Sequence, residues 1–339
     1  MNSPLQGGHM RRSRRGRVAP RRGIRFGPRV LVLVFLSLAA TAVWLVASEG
    51  KTADAPNGHA PVLGDLGTST RPPAKPSGAA PPPGISLIGA KPIRLHFKQP
   101  PRAGLVFDMD SGQVLWAHHP LERLPIASLT KIMTAIIVVE RTRPRERALV
   151  THEALNYSGS GVGVLPRGKD VPVEGLLAGM LLPSGNDAAL ALADHVAGHD
   201  RNFVKLMNER ARLMGLGCTH YSSSYGLPDT NRSCAVDLAA LARVAMSKAR
   251  IARLVRKPQA KVRFPIKSGY LYVNSTNPLL RVHFPGTIGL KTGSTIKAGH
   301  CYVGVVRRGR RTIGVVLLHS PNSLVQAEKL VTAAFKLRP

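Results

Sequence analysis

The stretch "PIASLTKIMTAIIVVE", Pro125–Glu140, carries the strongest signal in the chain. Its apolar residues recur at three- and four-residue spacing, which predicts a buried helix that begins near Ala127. Lys131 lies three residues after Ser128, so the two side chains share one face of that helix. Two interpretations are open from this stretch alone. Either Lys131 extends to solvent and Ser128 is an N-terminal helix residue, or the pair carries out chemistry.

Two further short motifs follow at wide intervals. "LLPSGNDAA" places Ser184 and Asn186 just before a predicted helix, and "GLKTGST" places Lys291, Thr292 and Gly293 within a predicted strand. Each motif alone has an ordinary explanation, namely a helix N-cap for the first and an exposed strand lysine beside a glycine bulge for the second. Their order after the serine–lysine pair makes coincidence a poor explanation.

The residue types fit nucleophilic catalysis. A serine hydroxyl is a weak nucleophile at neutral pH and needs a base beside it, and a lysine serves when burial and neighbouring cations lower its pKa. The apolar run after Lys131 predicts such burial, so we interpret Lys131 as the base for Ser128. Ser184 can pass a proton between Lys131 and the leaving amine, while the Asn186 amide can bind the substrate backbone and hold Lys131 in place.

The strand motif is predicted to bind the substrate. Lys291 and Thr292 offer a cation and a hydroxyl to a substrate carboxylate, and Gly293 lets the substrate backbone approach the strand closely. A tetrahedral oxyanion also needs hydrogen-bond donors. The backbone N–H groups of Ser128 and Ser294 are the predicted pair.

Together these motifs resemble those of the low-molecular-mass penicillin-binding proteins, the serine-type D-alanyl-D-alanine carboxypeptidases. The similarity runs from about residue 104 to residue 318 and includes "ASLTKIMTA", "LLPSGNDAA", "FVKLMNERARLMGL", "SCAVDLA" and "LKTGSTIKAGHC". The resemblance implies a penicillin-recognising β-lactamase/transpeptidase-like fold and removal of the terminal D-alanine from peptidoglycan stem peptides through a Ser128 acyl-enzyme. It also implies covalent inhibition by β-lactam antibiotics, and it implies no metal and no organic cofactor.

The chain departs from the family pattern in two places. Where the family usually shows Asn-Pro-x-Gly-Leu, this chain has "SSSYGL", residues 222–227, which leaves the shape of that loop open. Many relatives also carry a C-terminal β-rich domain and an amphipathic membrane helix, whereas this sequence ends soon after the catalytic region. An apolar N-terminal segment, residues 30–48, is then the expected membrane anchor.

Residues 102–339 are predicted to form a mixed α/β (α+β) catalytic domain. "GLVFDMDSGQVLWAHH" predicts two strands, and several helices follow it. "TIGLKTGST", "HCYVGVVRRG" and "RTIGVVLLHS" then predict strands before a final helix. Strands near both ends indicate one central antiparallel sheet built from both chain ends and covered by an inserted helical region.

The N-terminal third has a different composition. The 339-residue chain has a formal net charge of +30; residues 1–29 contribute nine arginines and no acidic residue, which leaves +21 elsewhere. We expect residues 1–29 to be a basic cytoplasmic tail and the uncharged residues 30–48 to cross the membrane once, with the catalytic domain outside, since ~20 apolar residues span a bilayer. If the apolar run is instead cleaved as a signal, the domain is secreted. Residues 49–101, rich in Pro, Gly and Ala, are predicted to be a linker.

The cysteines and histidines give weaker signals. Cys218 and Cys234 bracket a loop beside the predicted site, and either a disulfide or two separate buried thiols fits the sequence. Cys301 is expected to be a core strand residue. His118 and His119 show no metal-ligand spacing, so they are interpreted as structural or surface residues.

Other functions stay open at this point. A class A-like β-lactamase shares the acylation step but uses a glutamate-activated water for deacylation. No Glu follows Asn186 in an E-x-x-x-N arrangement, and Glu209 lies on an ordinary predicted helix face. A non-catalytic peptidoglycan-binding module is a second alternative. Nucleic-acid binding by the tail is disfavoured because the apolar run follows directly, and the +21 is expected to favour anionic wall polymers or lipid headgroups.

Overall fold

The computed structural model describes residues 84–89 and 91–337. The predicted cytoplasmic tail, the predicted transmembrane segment and most of the predicted linker therefore lie outside the described residues. Within the described ranges, no helix combines the length and the apolar composition needed to span a bilayer.

Strands and helices follow one another in the order that the sequence predicts. The strands are β1 Ala103–Asp108, β2 Val114–His118, β3 Leu124–Pro125, β4 Arg147–Leu149, β5 Asp170–Pro172, β6 Arg232–Ser233, β7 Gln259–Arg263, β8 Tyr270–Asn274, β9 Thr287–Thr295, β10 Gly299–Arg308 and β11 Arg311–Ser320. The helices are α1 Lys131–Arg141, α2 His152–Leu155, α3 Val173–Leu181, α4 Asn186–Ala197, α5 Asp200–Leu213, α6 Ala235–Ser247, α7 Ala249–Val255, α8 Pro278–Arg281 and α9 Ser323–Lys336. A 3₁₀ turn, Ala127–Thr130, leads directly into α1.

The central sheet joins the two ends of the catalytic region. It has five strands in the order β2-β1-β11-β10-β9, and each neighbouring pair is antiparallel. The first and last strands of the region are paired directly, since Leu105 of β1 lies opposite Val316 of β11. The predicted sheet from both chain ends with inserted helices is therefore confirmed.

Local turn chemistry explains the two hairpins of this sheet. Between β1 and β2, the Asp108 carboxylate accepts hydrogen bonds from the backbone N–H groups of Asp110, at 3.0 Å, and Ser111, at 2.9 Å. This side-chain bonding is the arrangement that favours Asp in turns. Between β10 and β11, Gly309 has a φ of 55°, which the tight turn requires and glycine adopts without strain.

The sheet separates two hydrophobic cores because side chains alternate along each strand. On β11, Ile313, Val315 and Leu317 face α9 and pack with Leu330 and Val331. The alternate β11 residues face the inserted helices and belong to the larger core, which includes Val316, Leu318, Ile132 and Ile136. Strand β9 is an edge strand of this sheet and contacts the 3₁₀ turn that precedes α1.

Some short elements have no counterpart in the sequence pattern. The pairs β3–β6, β4–β5 and β7–β8 form separate two-stranded sheets, and α2, α7 and α8 are helices of four to seven residues. The packed region also begins earlier than the predicted boundary at residue 102. Ile85 and Ile93 are buried, and Ser86 forms a bridge with Gln113 beside β2. The described residues before β1 therefore pack against the sheet.

Candidate active site

Lys131 lies at the centre of the site. It is 0% exposed, because it is the first residue of α1 and the apolar face of that helix lies in the larger core. Its Nζ lies 2.9 Å from Ser128 Oγ, 2.6 Å from Asn186 Oδ1 and 2.7 Å from the Tyr225 carbonyl oxygen. The predicted serine–lysine pair is thus in contact, and the interpretation of Lys131 as a solvent-exposed lysine is wrong.

The surroundings of Lys131 favour the neutral amine. Burial lowers its pKa well below the usual value for lysine, the charge of Lys291 lowers it further, and Asp187 partly opposes the shift. A neutral amine has two N–H donors and one lone pair. Since Asn186 Oδ1 and the Tyr225 carbonyl can only accept, they take the two N–H groups. The lone pair is then directed at the Ser128 hydroxyl, the arrangement in which Lys131 can accept its proton.

Backbone strain surrounds the nucleophile. Ala127, which precedes Ser128, has a φ of 46°, and Ser184 has a φ of 71°. Non-glycine residues rarely adopt this left-handed region, and such residues concentrate at functional sites. Gly226, with a φ of 106°, packs so closely on the Ala127 carbonyl that a Cβ atom would collide with it. Gly226 is therefore required where the loop meets the nucleophile turn.

The start of α4 forms a second wall of the site. Asn186 also donates through Nδ2 to the Ser158 carbonyl at 2.6 Å, so its amide orientation is fixed and Oδ1 faces Lys131. The Asp187 carboxylate accepts from the backbone N–H groups of Val162, at 2.8 Å, and Gly163, at 2.9 Å. These bonds hold the preceding loop against the helix.

Ser184 lies in the cleft without contacting the base. It lines a cavity of about 320 Å³ that also includes Ser128, Thr292 and Ser294. The hydrogen bonds of Lys131 go to other groups. Because Ser184 and Lys131 are not in contact, the proton-passing role of Ser184 stays a prediction.

Strand β9 forms the third wall. Lys291 is 1% exposed and donates from Nζ to the Thr292 carbonyl at 2.8 Å, and burial lowers its pKa to about 7. The Thr292 hydroxyl lies 2.6 Å from the hydroxyl of Thr276. A carboxylate in the cleft would gain a charge-assisted partner in Lys291.

Gly293 brings β9 against the nucleophile turn. A Cβ atom on Gly293 would lie 2.8 Å from the Ile126 carbonyl oxygen and 3.0 Å from the Ser128 backbone nitrogen, so only glycine fits. Ser128 and Ser294 consequently line the same cavity. Their backbone N–H groups remain the predicted oxyanion donors.

The loop "SSSYGL" contributes a group that the sequence did not reveal. Its Tyr225 carbonyl accepts from Lys131, and its Ser224 carbonyl accepts from the Thr134 hydroxyl at 2.5 Å. Asn231 Oδ1 accepts from the backbone N–H of Ser222 at 2.9 Å, and Asn231 Nδ2 donates to Ser223 Oγ at 2.9 Å. Backbone acceptors leave no residue-type signature, so only the position of the loop beside the motif could have indicated it.

A disulfide closes this loop. Cys218 and Cys234 are bonded across a sequence separation of 16 residues, which decides between the two interpretations left open above. The Asp237 carboxylate accepts from the Cys218 backbone N–H at 2.8 Å. Because both sulfurs are used in the bond, the cluster of Cys218, Cys234 and Asp237 lacks the thiolates that a metal would need.

Cys301 is buried on β10 opposite Gly293, as expected for a core strand residue, and it contributes to the lining of the cleft. Glu209 pairs on the surface with Arg212 at 2.7 Å. In the described part of the chain, the hydrogen-bond partners of Ser128 and Lys131 include no carboxylate.

Comparisons with known proteins agree with this geometry. The family model described as D-alanyl-D-alanine carboxypeptidase, peptidase family S11, matches residues 99–322. The chain therefore belongs to this family of serine peptidases, as the sequence motifs indicated.

The chain is 31% identical over 222 residues to D-alanyl-D-alanine carboxypeptidase DacF of Bacillus subtilis, a match that covers 63% of this chain and 56% of DacF. It is 32% identical over 249 residues to D-alanyl-D-alanine carboxypeptidase DacB2 of Mycobacterium tuberculosis, which covers 71% of this chain and 84% of that protein. The chain thus spans little more than half of the first relative and most of the second.

Solved structures share the fold. A mutant of the Streptomyces K15 DD-transpeptidase superposes with a TM-score of 0.66 at 30% identity and covers 71% of this chain and 100% of its own. A D-alanyl-D-alanine carboxypeptidase from Mycobacterium tuberculosis H37Rv gives a TM-score of 0.66 at 30% identity, with 77% and 97% covered. The penicillin-recognising fold expected from the sequence is confirmed.

Proposed function

We propose that the chain is a serine-type D-alanyl-D-alanine carboxypeptidase that removes the terminal D-alanine from peptidoglycan stem peptides. The observation that carries this proposal is the contact between Lys131 Nζ and Ser128 Oγ, at 2.9 Å, in a buried position where the lysine pKa is lowered. A nucleophile beside a neutral base is what acyl transfer requires.

Acylation follows from this contact. Ser128 Oγ attacks the carbonyl carbon of the penultimate D-alanine, and the hydroxyl proton moves to Lys131 Nζ. The backbone N–H groups of Ser128 and Ser294 stabilise the oxyanion of the tetrahedral intermediate. The C–N bond then breaks, and the proton passes from Lys131, through Ser184, to the nitrogen of the departing D-alanine.

Deacylation uses the same base. A water molecule gives a proton to Lys131 Nζ while its oxygen attacks the ester carbonyl, and the proton then returns to Ser128 Oγ as the ester bond breaks. Lys291 and Thr292 hold the terminal carboxylate of the substrate during acylation, and Gly293 lets the peptide lie along β9. Asn186 keeps Lys131 in place and donates to the peptide backbone.

The test uses the full chain in neutral detergent with its Ser128→Ala variant. Fluorescent penicillin should label the wild type and not the variant, and only the wild type should release D-alanine from a pentapeptide ending in D-Ala-D-Ala. Rapid turnover of penicillin would indicate a β-lactamase. Binding of peptide without labelling or release would indicate a non-catalytic wall-binding module, and either result would overturn the proposal.

We further propose that residues 30–48 anchor the chain as a single membrane span and that residues 102–339 act outside the cytoplasm. The uncharged run and the arginines before it support this topology, and the Cys218–Cys234 disulfide fits an oxidising compartment. The chain should stay in the membrane fraction after a carbonate wash, and external protease should reach the catalytic domain in spheroplasts. Release of the whole domain into the medium would instead show a cleaved signal.

The net positive charge supports anionic partners at the cell surface. Residues after the basic tail carry +21, and a field of this sign attracts wall polymers and lipid headgroups. Binding to purified cell walls should weaken as the salt concentration rises. Binding that is insensitive to salt would contradict an electrostatic attraction.

A further inference from the structure

Positive charge is concentrated in one segment of the catalytic region. Between Asp237 and Glu328 the sequence contains sixteen Lys and Arg residues and no Asp or Glu. Part of this segment forms α7 and the hairpin β7–β8. Protein surfaces usually mix both signs of charge, so a face with one sign points to an anionic partner.

The hairpin has one buried face and one exposed face. Lys261 pairs in register with Tyr272, and Arg263 pairs with Tyr270; all four side chains are exposed. Lys261 Nζ lies 4.2 Å from the centre of the Tyr270 ring and 5.5 Å from that of Tyr272. The residues of the opposite face are buried, namely Ala260, Leu271 and Val273.

Exposed cations at the end of α7 extend this surface. We use the name cationic face for Arg253, Arg256, Lys257, Lys261, Arg263, Tyr270 and Tyr272. Within the residues that the structure describes, the acidic groups near this face are already engaged: Glu140 pairs with Lys248 and Arg210, and Glu174 pairs with Arg250. The five cations of the face have no acidic partner among the ion pairs of the described chain.

A cavity within this region is lined by Arg250 and by the Glu174 carboxylate that pairs with it. The cavity has a volume of about 470 Å³, and Arg253, Arg256 and Lys257 contribute to its lining. Arg250, whose side chain is 10% exposed, also lines it. Its Nε donates to Glu174 and its Nη1 to the Thr142 carbonyl, but its Nη2 is buried with no partner. A buried donor of this kind is costly unless a ligand accepts from it.

We propose that the cationic face binds an anionic polymer whose repeating units carry phosphate groups, with one phosphate in the cavity beside Arg250. Guanidinium groups match phosphate oxygens in geometry and charge. The five exposed cations provide several contacts along a chain, and the exposed tyrosine rings offer flat surfaces to the units between phosphates. The face exposes no aliphatic side chain that could enter a bilayer, which favours a polymer over a lipid surface.

The cationic face is connected to the cleft through strand β8. Strand β8 ends at Asn274, two residues before Thr276, and the Thr276 hydroxyl contacts Thr292 in the site. A bound polymer would therefore keep the enzyme beside wall material. The biological meaning of this attachment rests on the proposed carboxypeptidase function, although the binding itself does not.

The test compares two variants of the full chain in neutral detergent that lose the same charge. The first is Arg253→Gln, Arg256→Gln, Lys261→Gln and Arg263→Gln. The control is Arg141→Gln, Arg145→Gln, Arg201→Gln and Lys205→Gln, which are exposed positions elsewhere. Both keep the N-terminal arginines, so the tail contributes equally. The probe is fluorescent poly(glycerol phosphate), and its Kd is measured from 50 to 300 mM salt.

We expect the first variant to weaken binding at least tenfold. We also expect it to lower the slope of log Kd against log salt by about three, since a flexible polyanion releases ~0.7 counterion per contact. The control variant should bind within about twofold of the wild type. Equal losses in both variants would show a general charge effect, and no loss in the first variant would show that the face does not bind; either result overturns the proposal.

Two further measurements complete the test. Doping the micelles with phosphatidylglycerol should leave polymer binding to the face unchanged; if the first variant instead loses only its response to the lipid, the face is a lipid site and the polymer proposal is wrong. Labelling by fluorescent penicillin should be unchanged in both variants. This readout separates failure of the polymer proposal from failure of the proposed enzyme activity.

Discussion

Two of the three walls of the cleft, those formed by α1 and β9, each hold a buried lysine, and the two amines have different kinds of partner. Lys131 on the α1 wall donates to Asn186 Oδ1 and to the Tyr225 carbonyl and directs its lone pair at the Ser128 hydroxyl, so its three partners come from three different parts of the chain. Lys291 on the β9 wall donates to the carbonyl of its own neighbour, Thr292. The protein satisfies the first amine internally, whereas the second keeps donors for an anion. Equal burial is therefore compatible with two different proposed roles, base for Lys131 and carboxylate receptor for Lys291.

Removal of the base should give the largest effect. Lys131→Met keeps most of the side-chain volume but has no amine, so acylation of Ser128 by fluorescent penicillin should slow by about 10³-fold, within the range for loss of a general base. Lys131→Arg is the matched control, because a guanidinium stays protonated and cannot accept the proton. Near wild-type labelling of folded Lys131→Arg would contradict the assignment of Lys131 as the base.

Removal of the carboxylate receptor, Lys291, should give a smaller effect, and this effect should fall mainly on KM. Lys291→Gln should lower kcat/KM for a D-Ala-D-Ala pentapeptide by about 10²-fold, mainly through KM, since a charge-assisted bond to the substrate carboxylate is lost. Lys291→Arg should recover part of the activity. With a peptide whose terminal carboxylate is amidated, wild type and Lys291→Gln should react at similar rates; a persistent difference would place the role of Lys291 elsewhere.

The pH dependence should separate the two lysines. Lys131 acts as the neutral amine, so kcat/KM should rise with pH as Lys131 loses its proton. Lys291 acts as the ammonium, and burial lowers its pKa to about 7, so kcat/KM should fall by up to tenfold per pH unit above that value. The profile for the pentapeptide is then bell-shaped. In Lys291→Arg the falling limb should move to higher pH, and an unchanged limb would assign it to another group.

The disulfide should affect the α1 wall and leave the β9 wall unchanged. The Cys218–Cys234 bond closes the loop that presents the Tyr225 carbonyl to Lys131. Its removal in Cys218→Ser with Cys234→Ser should lower the free energy of unfolding by about 3 kcal/mol, as expected for a loop of this length. Acylation should slow several-fold while KM stays constant. Urea unfolding and penicillin labelling measure these effects, and a selective rise in KM would contradict them.

Much of this site could be predicted because its chemistry depends on residue type. Ser128, Lys131 and Asn186 are in contact and the charge of Lys291 acts on Lys131, and the long periodic helices and the strands of the central sheet lie where their patterns indicated. Tyr225 could not be found in this way, because its backbone carbonyl makes the contact and any residue carries one. The side chain of Ser184 was predicted to act beside Lys131, but its position depends on a left-handed backbone that residue type does not reveal.

Short strands and helices also could not be predicted from the sequence pattern. Strands of two or three residues, such as β3 and β6, are shorter than the window over which alternation can be recognised. Likewise, Ile85 and Ile93 lie among short apolar groups in a stretch that begins rich in Pro and Gly, and only their burial in the structure shows that they pack. The β7–β8 hairpin alternates exposed and buried residues but is only five residues a side, which is close to the shortest run in which alternation can be recognised.

The buried thiol of Cys301 gives the protein a built-in reporter. The chain has three cysteines, and two of them are bonded, so Cys301 is its single free thiol. It is 2% exposed, and burial raises its pKa to about 11, which suppresses the thiolate that reacts with maleimides. Since Cys301 lies opposite Gly293 in the β9–β10 ladder and lines the cleft, its alkylation rate reports opening of the structure beside the nucleophile turn, with no label added by mutation.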